Sequence, residues 1–134
     1  MELEKRIKEV WNNCELLKDE TYTDAIRNVI DKVDTGKLRT AEPVSDTSLN
    51  NETKSSWMVN EWVKQAILLY FGIQKMETYS LPPFEFYDKM KLKSNYKDLG
   101  VRAVPHAIAR YGSYLARNVV LMPSYVNIGA YVDE

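Results

Sequence analysis

Cysteine is nearly absent from this sequence, in which Cys14 is the only one among 134 residues. A single cysteine cannot form a disulfide within the chain, and no neighbouring cysteines or histidines give it the spacing of a metal site. We therefore predict a reduced structural thiol, no bound metal and no bound cofactor.

Long apolar runs are also missing. No stretch approaches the roughly 20 apolar residues that span a bilayer. The first ten residues, MELEKRIKEV, are charged and amphipathic and contain no signal-peptide hydrophobic region. These features predict a cytoplasmic protein.

The sequence also has no excess of one charge, because it contains 18 Lys and Arg and 19 Asp and Glu. Neither sign forms a long block, so nucleic acid and anionic membranes are not expected partners. Histidine occurs once, at His106, and no Gly-x-Ser-x-Gly motif accompanies it, which argues against a nucleophile-histidine site. We predict that His106 is exposed and has no catalytic role.

Apolar residues in the first part of the chain recur at helical spacing. One amphipathic helix is predicted from Leu3, Ile7, Val10, Trp11, Leu16 and Leu17. A second is predicted to begin at an N-cap Thr23, with Asp24 in its first turn, and to stop at Gly36. Its buried face would consist of Ile26, Val29, Ile30 and Val33.

Two short strands, 37–42 and 56–59, are predicted to form a hairpin around a long, mobile polar loop at 44–55. A buried central helix should follow from Asn60 to Gly72. The stretch 74–99 contains two prolines and an aromatic cluster, which predict an irregular connector packed by its rings on the helical core.

After Pro105 the hydrophobic period changes to six, at Ile108, Tyr114, Val120, Val126 and Val132. Four residues after each of the first four lies a small or turn-forming residue, namely Gly112, Asn118, Ser124 and Ala130. Hexads of this kind are typical of the left-handed parallel β-helix, in which the period-six residues point inward. Chance repetition in an ordinary sheet is the weaker alternative.

Three hexads make one coil, so counting from Ile108 predicts fewer than two coils before Glu134. A solenoid needs about three repeats and a cap. We therefore expect that the chain is truncated and that its last strands form an exposed edge. The predicted fold class is α+β, with a helical domain and hairpin at 1–104 and the start of a β-helix domain at 105–134.

Several stretches resemble one family, the bacterial tetrahydrodipicolinate N-succinyltransferases. The similarity is clearest in ARNVVLMPSYVNIGAYVDE (116–134). It extends upstream, in order, through LGVRAVPHAIARYGSYLARN (99–118), FYDKMKLK (86–93), NEWVKQAILLYF (60–71) and DTGKLRTAE (34–42). The polar loop before Trp57 and the segment GIQKMETYSLPPFEF depart from the family pattern.

The resemblance implies succinyl transfer from succinyl-CoA to the amino group of L-2-amino-6-oxopimelate, in the succinylase branch of diaminopimelate and lysine biosynthesis. It also implies a homotrimer with sites between adjacent β-helices and no metal. Such a transfer needs an aligned amine, a carboxylate base and donors for the oxyanion. The family's acidic candidates lie beyond residue 134, so no catalytic residue is assigned here.

One family position falls within the chain, where Arg102 in LGVRAVPHA matches an arginine that contacts the dicarboxylate substrate. A guanidinium pairs bidentately with a carboxylate. The alternative is a structural salt bridge. Asp133 and Glu134 could imitate a catalytic pair, but adjacent strand residues point to opposite faces, so we predict turn or solvent roles.

Two other functions remain open. The chain could be a non-catalytic binding or oligomerisation module, in which its β-coils serve as an assembly edge. Another hexapeptide acyltransferase, such as an acetyl-transfer enzyme, is less favoured because those enzymes often lack the helical leader. If the enzyme prediction is right, this piece is still expected to be inactive alone.

Overall fold

The structure, a computed structural model, describes residues 2–46 and 54–134. Its first part is helical. The helices are α1 (Glu2–Asn12), a 3₁₀ helix (Cys14–Lys18), α2 (Glu20–Asp34), α3 (Glu61–Ile73) and the short α4 (Tyr96–Leu99).

The first two helices begin and end differently from the prediction. The predicted single helix through Leu17 is divided at Asn13, whose side-chain oxygen accepts a hydrogen bond from the Glu15 N–H and starts the 3₁₀ turn. Thr23 is not an N-cap. Asp19 caps α2 by accepting from the Thr21 N–H at 2.8 Å, because a carboxylate is already available one turn upstream.

The core of the helical part is formed where α1, α2 and α3 meet. The predicted face of α2 is confirmed, since Ile26, Val29, Ile30 and Val33 are all buried. They pack with α1 and α3 through a cluster that includes Ile7, Val10, Val63, Ala66, Ile67 and Tyr70. Burial of these side chains supplies the main stabilising term of this part of the protein.

The predicted hairpin is present, as β1 (Ala41–Asp46) antiparallel to β2 (Lys54–Val59), with Ala41 opposite Val59. Its first strand begins at Ala41 and not at Lys37, because the N–H groups of Lys37 and Leu38 both donate to the Lys32 carbonyl and close the end of α2. Residues 47–53 of the predicted mobile loop at 44–55 lie outside the described residues.

Asn60 occupies the N-cap of α3, as predicted, but its side chain does not cap the helix. Its amide instead donates to the Arg39 carbonyl and to a Glu42 carboxylate oxygen, both at 3.0 Å. These bonds attach the start of α3 to β1.

The prediction of an irregular connector at 74–99 is wrong. Strands β3 (Glu77–Leu81) and β4 (Phe84–Asp88) form a second antiparallel hairpin, and Pro82 and Pro83 lie in its turn. Prolines are compatible with a hairpin turn, where no ladder N–H is needed. The rings do not pack on the core, since Phe84, Phe86 and Tyr87 are 53%, 41% and 68% exposed.

The last part consists of six two-residue strands in two rungs. The first rung contains β5 (Arg102–Ala103), β6 (Ile108–Ala109) and β7 (Tyr114–Leu115), and the second contains β8 (Val120–Leu121), β9 (Tyr125–Val126) and β10 (Tyr131–Val132). Each strand of the first rung pairs in parallel with the strand three further on. Strand β5 lies before the first predicted hexad, and paired positions are 17 or 18 residues apart, so residues 102–134 still form slightly fewer than two coils, as predicted.

The predicted inward register is wrong for the first three hexads. The buried residue is in each case the next one, since Ala109, Leu115 and Leu121 are at most 6% exposed whereas Val120 is 51% exposed. Val126 and Val132 do point inward, as predicted, because they lie opposite the buried Ala109 and Leu115 in the parallel pairs. The sequence separation between paired residues falls from 18, for Ala103 and Leu121, to 17, for Ala109 and Val126. The corner after Leu121 is therefore one residue short.

Turn-forming residues lie at the corners, as predicted. Gly112 and Asn118 have φ of +87° and +70°, a region that glycine and asparagine tolerate best. At the last corner the left-handed residue is Gly129, with φ +88°, and not Ala130. The short corner explains this one-residue shift. With helices and parallel and antiparallel strands, the chain is α+β, as predicted.

No helix in the part of the chain that the structure describes is long and apolar enough to cross a membrane.

Candidate functional site

Arg102 lies on β5, at the start of the first rung. Its backbone N–H donates to the Val119 carbonyl at 3.0 Å, and this bond attaches β5 to the start of the second rung. Its side chain is exposed. Within residues 2–46 and 54–134, its guanidinium makes no ion pair and no hydrogen bond. The structural alternative, a salt bridge at this junction, therefore finds no support among the described residues.

Asp34, the last residue of α2, joins the helical part to the rungs. Its Oδ1 accepts from Lys93 Nζ at 2.6 Å and from the Gly112 N–H at 2.7 Å. The pair is largely buried, with 5% of the Lys93 side chain and 17% of the Asp34 side chain exposed. One carboxylate thus holds a helix end, the segment after β4 and a corner of the first rung.

The segment around Lys93 also pairs with the first rung through its backbone. The Lys93 N–H donates to the Ala109 carbonyl at 2.8 Å, and the Tyr111 N–H donates to the Lys91 carbonyl at 2.9 Å. The Tyr111 hydroxyl contacts Asp31 at 3.3 Å. Burial and the nearby carboxylates of Asp31 and Asp34 raise the pKa of Tyr111 well above its usual range, so this hydroxyl acts as a hydrogen-bond donor.

A second ion pair connects the β3–β4 hairpin to the rungs. Arg110 Nη2 donates to Asp88 Oδ2 at 2.7 Å, and the Arg110 guanidinium lies 5.5 Å from the centre of the Phe71 ring. Partial burial acts to raise the pKa of Asp88. Hydrogen bonds from the Lys89 and Met90 N–H groups, together with the charge of Arg110, outweigh burial and lower that pKa.

This lowered pKa predicts a pH-dependent contribution to stability. A carboxyl group with a depressed pKa in the folded state stabilises the protein above its unfolded pKa, near 3.8, and loses that contribution as pH falls through the folded value. We expect the free energy of unfolding, measured by urea titration between pH 6 and about pH 2, to fall less steeply below pH 4 in Asp88→Asn than in the unmodified chain. An identical acid slope in both proteins would contradict the prediction.

The other residues considered from the sequence have no catalytic surroundings. His106 is exposed, as predicted, and its ring lies edge-on to Phe84 at 6.4 Å. Asp133 and Glu134 are exposed. The thiol of Cys14 is free and exposed. Among the described residues, no group of three or more His, Cys, Asp or Glu side chains could hold a metal ion.

Sequence reasoning missed the Asp34–Lys93 pair and an apolar groove of about 620 Å³. The groove lies between the β3–β4 hairpin and residues 103–108, and its walls include Leu81, Phe84, Phe86 and Leu92. Asp34 and Lys93 are 59 positions apart, so no local pattern could connect them. The exposed rings of a hairpin could have indicated the groove, but the prolines suggested a loop.

Comparison with known proteins places this architecture in a family. Residues 2–73 match the family model described as the amino-terminal part of tetrahydrodipicolinate N-succinyltransferase. That match spans α1, α2, the β1–β2 hairpin and α3.

Curated relatives extend the similarity across the rungs. The chain is 40% identical to a 2,3,4,5-tetrahydropyridine-2,6-dicarboxylate N-succinyltransferase of Bordetella pertussis, over 96% of this chain and 48% of that protein. Proteins of the same name from Xylella fastidiosa and Pelagibacter ubique are 40% and 39% identical, over 96% and 99% of this chain and 47% and 50% of theirs. The chain spans about half the length of these relatives, and it belongs to the tetrahydrodipicolinate N-succinyltransferase family.

Proposed function

We propose that this chain forms the amino-terminal part of an enzyme that transfers a succinyl group from succinyl-CoA to the amino group of L-2-amino-6-oxopimelate, the ring-opened form of tetrahydrodipicolinate. The observation that carries this proposal is the 40% identity to an N-succinyltransferase across 96% of the chain, rungs included. A cytoplasmic location and a homotrimeric enzyme are part of the same proposal.

The fold supports separate roles for the helical part and the rungs. The helical part and its hairpins would hold the first rungs of a left-handed β-helix. These rungs would begin at β5, three residues before the predicted boundary at 105, and continue as in the relatives. Parallel pairing between strands 17 or 18 residues apart is what three-sided coils of about six residues per side require.

The chemistry is an acyl transfer in which the substrate nitrogen attacks the thioester carbonyl. A C–N bond forms, the C–S bond breaks, CoA leaves as the thiol, and the amine loses a proton to a base. We assign none of the described carboxylates to this base, and the proposal places it in the part of the relatives that this chain does not match. The role of the chain is to bind and orient the substrate.

In this proposal Arg102 binds one substrate carboxylate. Its guanidinium is exposed and has no acidic partner within the described ranges, so binding would not require an existing ion pair to break. A guanidinium offers two parallel N–H donors to a carboxylate, which fixes orientation as well as position.

The proposal is tested by acyl transfer with succinyl-CoA and L-2-aminopimelate, followed as release of the CoA thiol. We would assay the chain alone and the chain extended after Glu134 with the second half of the Bordetella pertussis relative. Only the extended protein should turn over. In it, Arg102→Ala should lower kcat/KM by about 10- to 100-fold, the range expected for losing charged hydrogen bonds of about 1.5 to 3 kcal/mol.

The matched control is Arg27→Ala, which removes a guanidinium that is paired with Asp24 on the exposed side of α2. It should leave kcat/KM within about twofold of the parent, as expected for an exposed ion pair. An extended protein that folds but shows no turnover would reject the proposed chemistry. Equal losses in the two variants would reject the role of Arg102.

A further inference from the structure

Two of the six arginines in the chain differ from the others in their surroundings. Arg6, Arg27 and Arg110 are each paired with a carboxylate, and the guanidinium of Arg39 lies 3.4 Å from the centre of the Tyr131 ring. Arg102 and Arg117 are exposed, and neither has an ion pair or side-chain hydrogen bond among the described residues.

Arg102 lies on β5, and Arg117 lies at the corner between β7 and β8, beside the start of β5. Asn118, next to Arg117, donates its N–H to the Gly100 carbonyl at 2.9 Å, and Arg102 donates its N–H to the Val119 carbonyl at 3.0 Å. The segments 100–102 and 117–119 therefore run side by side. Arg102 and Arg117 therefore belong to two adjacent segments.

Gly100 allows the Arg117 side chain to lie across this corner. A Cβ at Gly100 would come within 2.9 Å of Arg117 Cγ and 3.2 Å of Arg117 Nη1. The guanidinium of Arg117 is thus directed over the backbone two residues before Arg102. Lys97 and Asp98 are both exposed in the short helix that ends at this glycine, so this helix adds one charge of each sign.

Two arginines on adjacent segments, neither with a carboxylate partner among the described residues, match a ligand with two carboxylates. Like charges side by side are unfavourable unless an anion neutralises them, and each guanidinium can bind one carboxylate bidentately. We propose that Arg117 binds the second carboxylate of the dicarboxylate substrate, while Arg102 binds the first. This inference rests on the proposed function and adds a residue that determines specificity for dicarboxylates over monocarboxylates.

The test uses the chain itself, ¹⁵N-labelled, titrated with pimelate, hexanoate or inorganic phosphate while the arginine side-chain N–H signals are followed by NMR. Pimelate should shift the signals of both Arg102 and Arg117. Arg117→Gln should weaken pimelate binding by about tenfold, which corresponds to one charged hydrogen-bonded contact. Hexanoate binding should change less than twofold, and Arg117→Lys should restore part of the loss. Arg27→Gln is the matched control and should bind pimelate like the parent.

The outcomes separate this inference from the proposed function. If Arg102→Gln weakens pimelate binding and Arg117→Gln does not, the inference is wrong while the proposed function stands. If phosphate or hexanoate binds the parent as tightly as pimelate, the corner is a general anion site and the inference is also wrong. If pimelate shifts neither arginine signal, the two-point site is rejected, whereas the CoA-release assay still decides the proposed function.

Discussion

Replacing Asp34 by alanine is expected to lower the free energy of unfolding by about 3 to 5 kcal/mol, because it leaves the buried Lys93 ammonium without its partner. The same change leaves the Gly112 N–H without the carboxylate that accepts it at 2.7 Å. The measurement is urea unfolding followed by circular dichroism.

Two further variants separate charge from hydrogen bonding. Asp34→Asn keeps an acceptor but removes the charge, so it should also be destabilising. Combining it with Lys93→Met should recover part of that loss, because no unpaired charge remains buried. The matched control is Asp24→Ala, which breaks the exposed pair with Arg27 and should cost at most about 1 kcal/mol. If Asp34→Ala costs no more than Asp24→Ala, the junction does not stabilise the fold.

The second large effect is expected for Gly112→Ala, at about 2 to 4 kcal/mol of destabilisation. The residue has φ +87°, which costs an L-residue roughly 1 to 2 kcal/mol. An added Cβ would also lie 2.6 Å from Ile128 Cγ1 and 3.1 Å from Ile30 Cγ2, in a packed region where overpacking costs about 1 to 3 kcal/mol. The same urea titration measures the loss.

Gly72→Ala provides the control for this prediction. Gly72 lies in α3 with no atom within 4 Å of its added Cβ, so alanine should leave stability unchanged or raise it by up to about 1 kcal/mol. Opposite signs for the two substitutions are expected. A Gly112→Ala protein as stable as Gly72→Ala would show that this corner can relax without cost.

The sequence allowed the helical part to be predicted well, because its apolar residues follow a 3.6-residue period over several turns. This period predicts that Ile26, Val29, Ile30 and Val33 belong to the core, and all four are buried. The error at Thr23 arose from a local choice between two possible caps, Asp19 and Thr23. Such choices depend on where the preceding 3₁₀ turn ends.

The rungs were harder to predict because their strands are two residues long and both residues are often apolar. Both residues of each strand recur every six residues, so the period alone does not say which of the two points inward. The pairs are Ile108 and Ala109, Tyr114 and Leu115, and Val120 and Leu121. In the structure the inward residues are Ala109, Leu115 and Leu121, whose side chains are buried. Because the corner after Leu121 is one residue short, the predicted set of inward residues is right only for Val126 and Val132.

The candidate site was predictable only in part. Arg102 was identified from the resemblance to a family, since nothing in its residue type distinguishes it from the other arginines. Its lack of an acidic partner, and the position of Arg117 over Gly100, depend on contacts between separate segments and appear only in the folded chain.

One consequence of the Asp34 junction concerns how the protein opens. The Gly112 N–H is held by a carboxylate 78 positions earlier in the chain, on a helix and not on a neighbouring strand. Its exchange with solvent deuterium therefore requires the rung to separate from α2, whereas the Ala116 N–H, bonded to the Val132 carbonyl, requires the two rungs to separate. Comparing the exchange rates of these two amides would measure separately how often the rungs detach from the helices and how often they part from each other.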